Sequence, residues 1–138
     1  MWKFGDSSMI NGRVFGYARA KSKKRNLNKQ IKLLRQYVSE EKIITEIASG
    51  KDLNRPAYQA MKSPLGLREG DILIIPSLDR ISKNQNIILS EIKWFVKNKV
   101  RLKVLDLPST LIEVVEGDEW IVELINSVLV EVFGSMSK

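Results

Sequence analysis

Neither cysteine nor histidine occurs anywhere in the 138 residues. Their absence excludes thiol nucleophiles, disulfide staples, a histidine general base and the usual zinc ligand sets. Long apolar runs are missing too. No stretch reaches the length of a signal-peptide core or a membrane span, so the expected setting is the reducing cytoplasm, with no membrane partner. Acids are missing from one place in particular. Arg19, Lys21, Lys23, Lys24, Arg25, Lys29, Lys32 and Arg35 follow one another with no Asp or Glu between them, in a chain of 23 Lys and Arg against 16 Asp and Glu. Such a stretch suits a polyphosphate partner, because each neutralised phosphate releases condensed counterions. A solvated basic helix face is the plain alternative.

What is present is a globular composition, 43% hydrophobic and 28% charged, enough at this length for one core without staples. Arg13 to Ala18 reads as an apolar strand. Leu27, Ile31, Leu34 and Val38 then recur at helical spacing, so the cationic stretch joins a strand to a helix. Lys42 to Ile47 reads as a second strand and "ASGKDLN" as a loop. Arg55-Pro56 opens a short helix, with Pro in the first turn where its missing N–H costs nothing. Asp71 to Pro76 forms a continuous apolar strand, the pattern of a strand covered on both faces. Ile88, Ile92 and Phe95 line a further helix, and Arg101 to Asp106 return as a strand. Strands alternating with helices indicate an α/β domain on a parallel sheet.

The segment from Asp118 to Phe133 differs. Ile121, Leu124, Ile125, Val128, Leu129 and Val132 form a stripe, Trp120, Val122, Val130 and Phe133 add apolar surface elsewhere, and Glu123, Ser127 and Glu131 mark a polar line. A helix so widely apolar calls for cover on more than one side, hence a second copy. Burial within its own domain is the simpler alternative. The first residues show no usable period, and 1–12 is expected to be a disordered extension.

In a parallel α/β sheet, functional groups gather at the carboxyl ends of the strands. Four loops leave that edge, carrying Arg19, Lys21 and Ser22; Ser49 and Arg55; Asp79, Arg80 and Lys83; and Asp106. Cations converging from separate loops suit phosphoryl transfer, whose transition state spreads negative charge over its equatorial oxygens. Glu46, Asp79 and Asp106 allow a metal-dependent phosphoesterase as another reading, but they are single and lack paired spacing.

The blocks "GYARAKSKKRNLNKQ", "EIASGKDLNRP" and "REGDILIIPSLDRISK" resemble, in order and at similar spacing, the three motif blocks of the resolvase/invertase serine recombinases. The resemblance runs from about Arg13 to Phe133. It implies a resolvase-like catalytic domain at 13–117, with a largely parallel four- to five-stranded sheet flanked by helices, and a long dimerisation helix within 118–138. It implies cleavage of DNA by a serine hydroxyl through a phosphoserine link, with no metal or other cofactor, in a homodimer joined through 118–133 that forms a tetramer on DNA. By the same resemblance Arg19, Arg55 and Arg80 match the phosphate-binding arginines, Gln30, Ser49 and Asp79 match their polar supports, and Lys23, Lys24 and Arg25 lie on the DNA-facing loop.

Three departures bear on activity. Ungapped, the family's Tyr-Ala-Arg-Val-Ser-Thr falls on Tyr17 to Ser22 and puts Lys21 where the nucleophilic serine belongs. An ammonium is a poor nucleophile near neutral pH and a good phosphate contact. Ser22, next door, is the substitute nucleophile only if the loop slips by one residue, which turns side chains toward the opposite face. Lys83 stands where the family has an arginine, keeping the charge but losing the bidentate fork. Phe133-Gly134 falls on the family's Glu-Arg pair, and a glycine there would end the helix. "KSPLGLREG" is also two residues longer than the family's usual connection, and the 138 residues leave no room for a helix-turn-helix domain. The expectation is a recombinase catalytic domain impaired at its nucleophile. The alternative is a non-catalytic homologue that binds DNA or pairs with an active recombinase.

Overall fold

The computed structural model describes residues 12–22, 25–49, 51, 53–111 and 119–133, apart from the side chains of Arg25 and Phe133. Its elements run β1 (Val14–Ala20), α1 (Arg25–Leu34), β2 (Ile43–Ile47), α2 (Pro56–Met61), β3 (Ile72–Ile75), α3 (Gln85–Lys97), β4 (Arg101–Val104) and α4 (Glu119–Phe133). Single 3-10 turns lie at Glu40–Lys42, Leu78–Arg80 and Pro108–Leu111. The 1–12 extension, apart from Gly12, lies outside the described residues, as do Lys23, Lys24, Asp118 and Gly134.

Four described strands form one parallel sheet in the order β2-β1-β3-β4. The chain leaves β1 for β2 on one side and returns to the other side for β3. Strand order therefore reverses between β1 and β3, and in such sheets a crevice opens at the carboxyl ends of the two strands flanking that switch.

Alternation along β1 divides the core. Tyr17 faces the larger cluster, with Leu73, Ile75, Leu102 and Val104 from the sheet, Ile88, Ile92 and Phe95 from α3, and Leu124, Val128 and Val132 from α4. Ala18 faces the smaller one, with Ile74 and with Leu34 and Val38 of the α1 region. The small residue at 16 lets α1 approach: a Cβ on Gly16 would lie 3.4 Å from Leu34 and Val38 side-chain carbons. At the amino edge, a Cβ on Gly12 would collide with the Gly70 carbonyl, and Gly70 itself adopts φ +93°, a conformation that glycine takes without strain.

The apolar periods predict these elements, with shifts at their ends. The α1 helix stops at Leu34 rather than Val38, and hydrogen-bonded turns from Arg35 to Val38 carry Val38 into the core. Lys42 belongs to a 3-10 turn before β2, and β3 and β4 are shorter than their apolar runs because the flanking residues are spent in loops. Asp71, just before β3, accepts from the backbone N–H, Nε and Nη2 of Arg13 at 3.0, 3.2 and 2.6 Å, and from the Arg68 N–H at 2.9 Å. This buried carboxylate ties the start of β1 to the start of β3.

The expected α4 stripe divides. Leu124, Val128 and Val132 pack onto the domain, whereas Val122, Ile125, Leu129 and Val130 are exposed. The polar line expected at Glu123, Ser127 and Glu131 is interrupted, because Ser127 is buried and hydrogen-bonds Ser109. Gln85, at the start of α3, donates to the Val132 carbonyl at 3.0 Å and holds the last turn of α4.

Candidate functional site

At the switch point, β1 ends in a buried arginine. Arg19 is 3% exposed, and three of its N–H groups go to main-chain carbonyls: Nε to Arg80 at 3.0 Å, Nη1 to Ala48 at 2.9 Å and Nη2 to Asp79 at 2.6 Å. Arg80 returns the contact by donating from Nη1 to the Arg19 carbonyl. Gln30, from α1, pairs with the Arg19 backbone as a neighbouring strand would, accepting from its N–H at 3.0 Å and donating to its carbonyl at 2.8 Å.

Arg55 is fully buried at the start of α2. Its Nη1 donates to the Arg80 carbonyl at 2.8 Å and its Nη2 to the Ile81 carbonyl. The Arg80 carbonyl is thus gripped by two guanidiniums. Burial first, then the charges of Arg55 and Arg80, pull the Arg19 pKa below the ordinary arginine value. A cluster of like charges held by carbonyl dipoles leaves its net positive field for an external anion.

Asp79 accepts from Arg80 Nε at 3.0 Å and from the Ser77 hydroxyl. Burial works to raise its pKa, but these bonds and the Lys83 charge outweigh burial and hold it below the usual carboxylate range. Asp79 therefore orients Arg80 as a carboxylate. Behind this layer, Glu46 at the end of β2 accepts from the Tyr17 hydroxyl at 2.6 Å and from the Ala57 and Tyr58 N–H groups at 2.7 and 3.1 Å. Burial, then the bond to Glu46, drives the Tyr17 phenol far above its ordinary pKa, so it stays a donor. Tyr58 in turn donates to Glu91 at 2.7 Å, and Lys62 pairs with the same oxygen at 2.6 Å.

In front lies a cavity of about 310 Å³ lined by Arg19, Ala20, Lys21, Asn26, Ser49, Lys51, Arg80 and Lys83. Five of these residues are cationic and none is acidic. Of the residues singled out in the sequence, Arg19, Lys21, Ser49, Arg80 and Lys83 meet at this wall. Arg55 and Gln30 stand behind it, holding the backbone that carries it, and Asp79 lies beside it, holding the Arg80 side chain. Ser22 is exposed and is not among the lining residues. Lys23, Lys24 and the Arg25 side chain lie outside the described residues.

The carboxylates of the metal reading do different work. Glu46 caps α2 and Asp79 binds Arg80, while Asp106 has its pKa raised by burial and by the nearby charges of Glu131 and Asp79. Among the described residues no cluster of three or more potential metal ligands occurs, and no helix is long and apolar enough to cross a membrane.

Sequence reasoning missed Lys51 and the Tyr17–Glu46 pair. One signal for Glu46 was available. The α2 helix opens at Arg55-Pro56 with no side-chain cap of its own, so its first N–H groups require an acceptor from elsewhere in the fold.

A doubly wound parallel sheet with a cationic crevice at its switch point, its wall free of acids, defines the class of α/β domain that these residues build. Residues 14–128 match the family described as "Resolvase, N terminal domain". A resolvase/recombinase of Pseudomonas putida is 33% identical over 95 residues, 68% of this chain and 51% of the relative. The transposon Tn3 resolvase of Escherichia coli is 30% identical over 95 residues, 68% of this chain and 50% of the relative. The chain spans about half the length of these curated relatives. Among solved structures, the N-terminal catalytic domain of TP901-1 integrase aligns with a TM-score of 0.62 at 20% identity, covering 91% of this chain and 98% of that one. A serine recombinase from Sulfolobus solfataricus aligns with a TM-score of 0.55 at 23% identity, covering 92% and 86%. The chain belongs to the resolvase N-terminal domain family, with the fold of a serine recombinase catalytic domain.

Proposed function

We propose that this domain receives a DNA phosphodiester in its switch-point cavity and holds it without cutting it. The carrying observation is the composition of the cavity wall: Arg19, Lys21, Lys51, Arg80 and Lys83 without an acid, with Lys21 on the wall and Ser22 off it. On the ungapped match of the family's Tyr-Ala-Arg-Val-Ser-Thr block to Tyr17–Ser22, Lys21 stands where the cleaving serine belongs. An ammonium there places a point charge against phosphate oxygens and supplies no hydroxyl for a phosphoserine link.

The resolvase-type role then reduces to its binding half. The exposed Val122, Ile125, Leu129 and Val130 on α4 are the surface through which the domain pairs with a second resolvase-type subunit, as a homodimer or beside an active partner. DNA, the dimer, the tetramer on DNA, the division at 117/118 and the supporting roles of Gln30, Ser49 and Asp79 all belong to this proposal.

Binding to a short duplex across a salt series tests it. Lys21→Ala should flatten the slope of log K against log salt by about 0.9, the loss of one phosphate contact. A slope identical to that of the unmodified chain would remove Lys21 from the phosphate site.

A further inference from the structure

We propose that Lys51, beside the Ser49 already read as a polar support, forms a second cationic wall of the phosphate site across the floor from Lys83. This deepens the phosphate-binding reading above and rests on it. The sheet order places the two walls. The end of β1 lies between β2 and β3, so Ser49 and Lys51, which follow β2, flank the Arg19–Lys21 floor on the side away from Arg80 and Lys83, which follow β3. An anion seated on that floor meets cations from both sides.

Local hydrogen bonding assigns the two roles. The Lys51 N–H donates to Ser49 Oγ at 3.0 Å. That bond uses the hydroxyl as an acceptor and leaves its one O–H proton for a different acceptor, which in this cavity is a phosphate oxygen. The turn is anchored where it begins. Ala48 N–H donates to the Ala20 carbonyl at 2.9 Å, and the Ala48 carbonyl accepts from Arg19 Nη1 at 2.9 Å.

Charge bookkeeping separates Lys51 from the buried arginines. Arg55 spends Nη1 and Nη2 on the Arg80 and Ile81 carbonyls and does not reach the cavity wall. Arg19 spends three N–H groups the same way. These two position the loops. Lys51 is exposed, lies on the wall, and has no carboxylate within 4.0 Å among the described residues. Its ammonium is therefore available to a ligand.

The test is binding of the full chain to a short duplex across a salt series, with Lys97→Ala as control. Lys97 ends α3, and a helix that returns from β3 to β4 in a parallel sheet ends at the amino edge, far from the cavity. Lys51→Ala should weaken binding about five- to tenfold at 0.1 M salt and flatten the slope by about 0.9, while Lys51→Arg keeps the slope. Ser49→Ala should weaken binding with the slope unchanged, as expected for a neutral donor. The control should move neither quantity. If Lys51→Ala keeps the slope while the unmodified chain binds with salt dependence, the second wall is wrong and phosphate binding stands. If the unmodified chain shows no salt-dependent binding, the phosphate reading fails and the second wall with it.

Discussion

Arg19 and Arg80 hold each other through their backbones: Arg19 Nε donates to the Arg80 carbonyl at 3.0 Å, and Arg80 Nη1 donates to the Arg19 carbonyl. The exchange locks the end of β1 to the turn after β3, the two strands between which the sheet order reverses. It also brings two cations together with a single carboxylate, Asp79, on Arg80, and Arg55 on the same carbonyl adds a third cation. The rigidity of the cavity and its positive field therefore share one cause.

Removing Arg19 should cost stability as well as binding. Arg19→Ala leaves the part-buried carbonyls of Ala48 and Asp79 short of a donor and the Arg80 carbonyl with Arg55 alone, and urea unfolding should show a loss of about 2–3 kcal/mol. A loss under about 0.5 kcal/mol would mean that water or another side chain satisfies those carbonyls.

Glu46 should act on the site through α2 and Arg55. Glu46→Gln keeps the shape but gives up the charge that faces the Ala57 and Tyr58 N–H groups and the Tyr17 hydroxyl. A loss of about 1–3 kcal/mol in chemical denaturation is expected. Tyr17→Phe should cost about 1 kcal/mol by deleting one of those bonds.

Acid should loosen the amino edge first. Burial alone would raise the Asp71 pKa, but the Arg13 and Arg68 donors and the Arg13 charge overcome it and hold it below its ordinary value. A carboxylate with a depressed folded pKa contributes stability above the unfolded value, about 3.9, and that contribution is lost as pH falls through the folded one. Asp71→Asn should therefore be less stable at neutral pH, by about 3 kcal/mol, and lose less on acidification below about pH 4. An unchanged acid limb in the stability–pH curve would exclude Asp71 as its source.

The two faces of α4 should separate in mutagenesis. Leu124→Ala opens a cavity in the core and should cost about 2–4 kcal/mol. Ile125→Asp with Leu129→Asp changes only exposed positions and should leave the core intact while abolishing self-association in sedimentation velocity. Loss of folding in the double variant would show that this face is covered within the domain.

The strands and helices were readable because burial on one face leaves a period: Ile88, Ile92 and Phe95 fall where α3 meets the sheet, and the unbroken run at Ile72–Ile75 marks a strand covered on both sides. The convergence of Arg19, Lys21, Arg80 and Lys83 was readable from loop positions together with the family blocks. What Arg19 and Arg55 do there was not, since they bind main-chain carbonyls and every residue type carries one. The burial of Ser127 depends on Ser109, eighteen positions away, a contact that no helical period reports. Lys51 reads as one more loop cation until the sheet order sets it across the floor from Lys83.

The most direct test of the central claim, that Lys21 holds a phosphodiester which the domain does not cut, is intact-mass spectrometry after incubation with a suicide-nicked duplex. The unmodified chain should bind the duplex and show no covalent adduct, and Lys21→Ser should yield an adduct mapped to position 21. An adduct on the unmodified chain mapped to Ser22, and lost in Ser22→Ala, would contradict the account and show that the neighbouring hydroxyl enters the cavity.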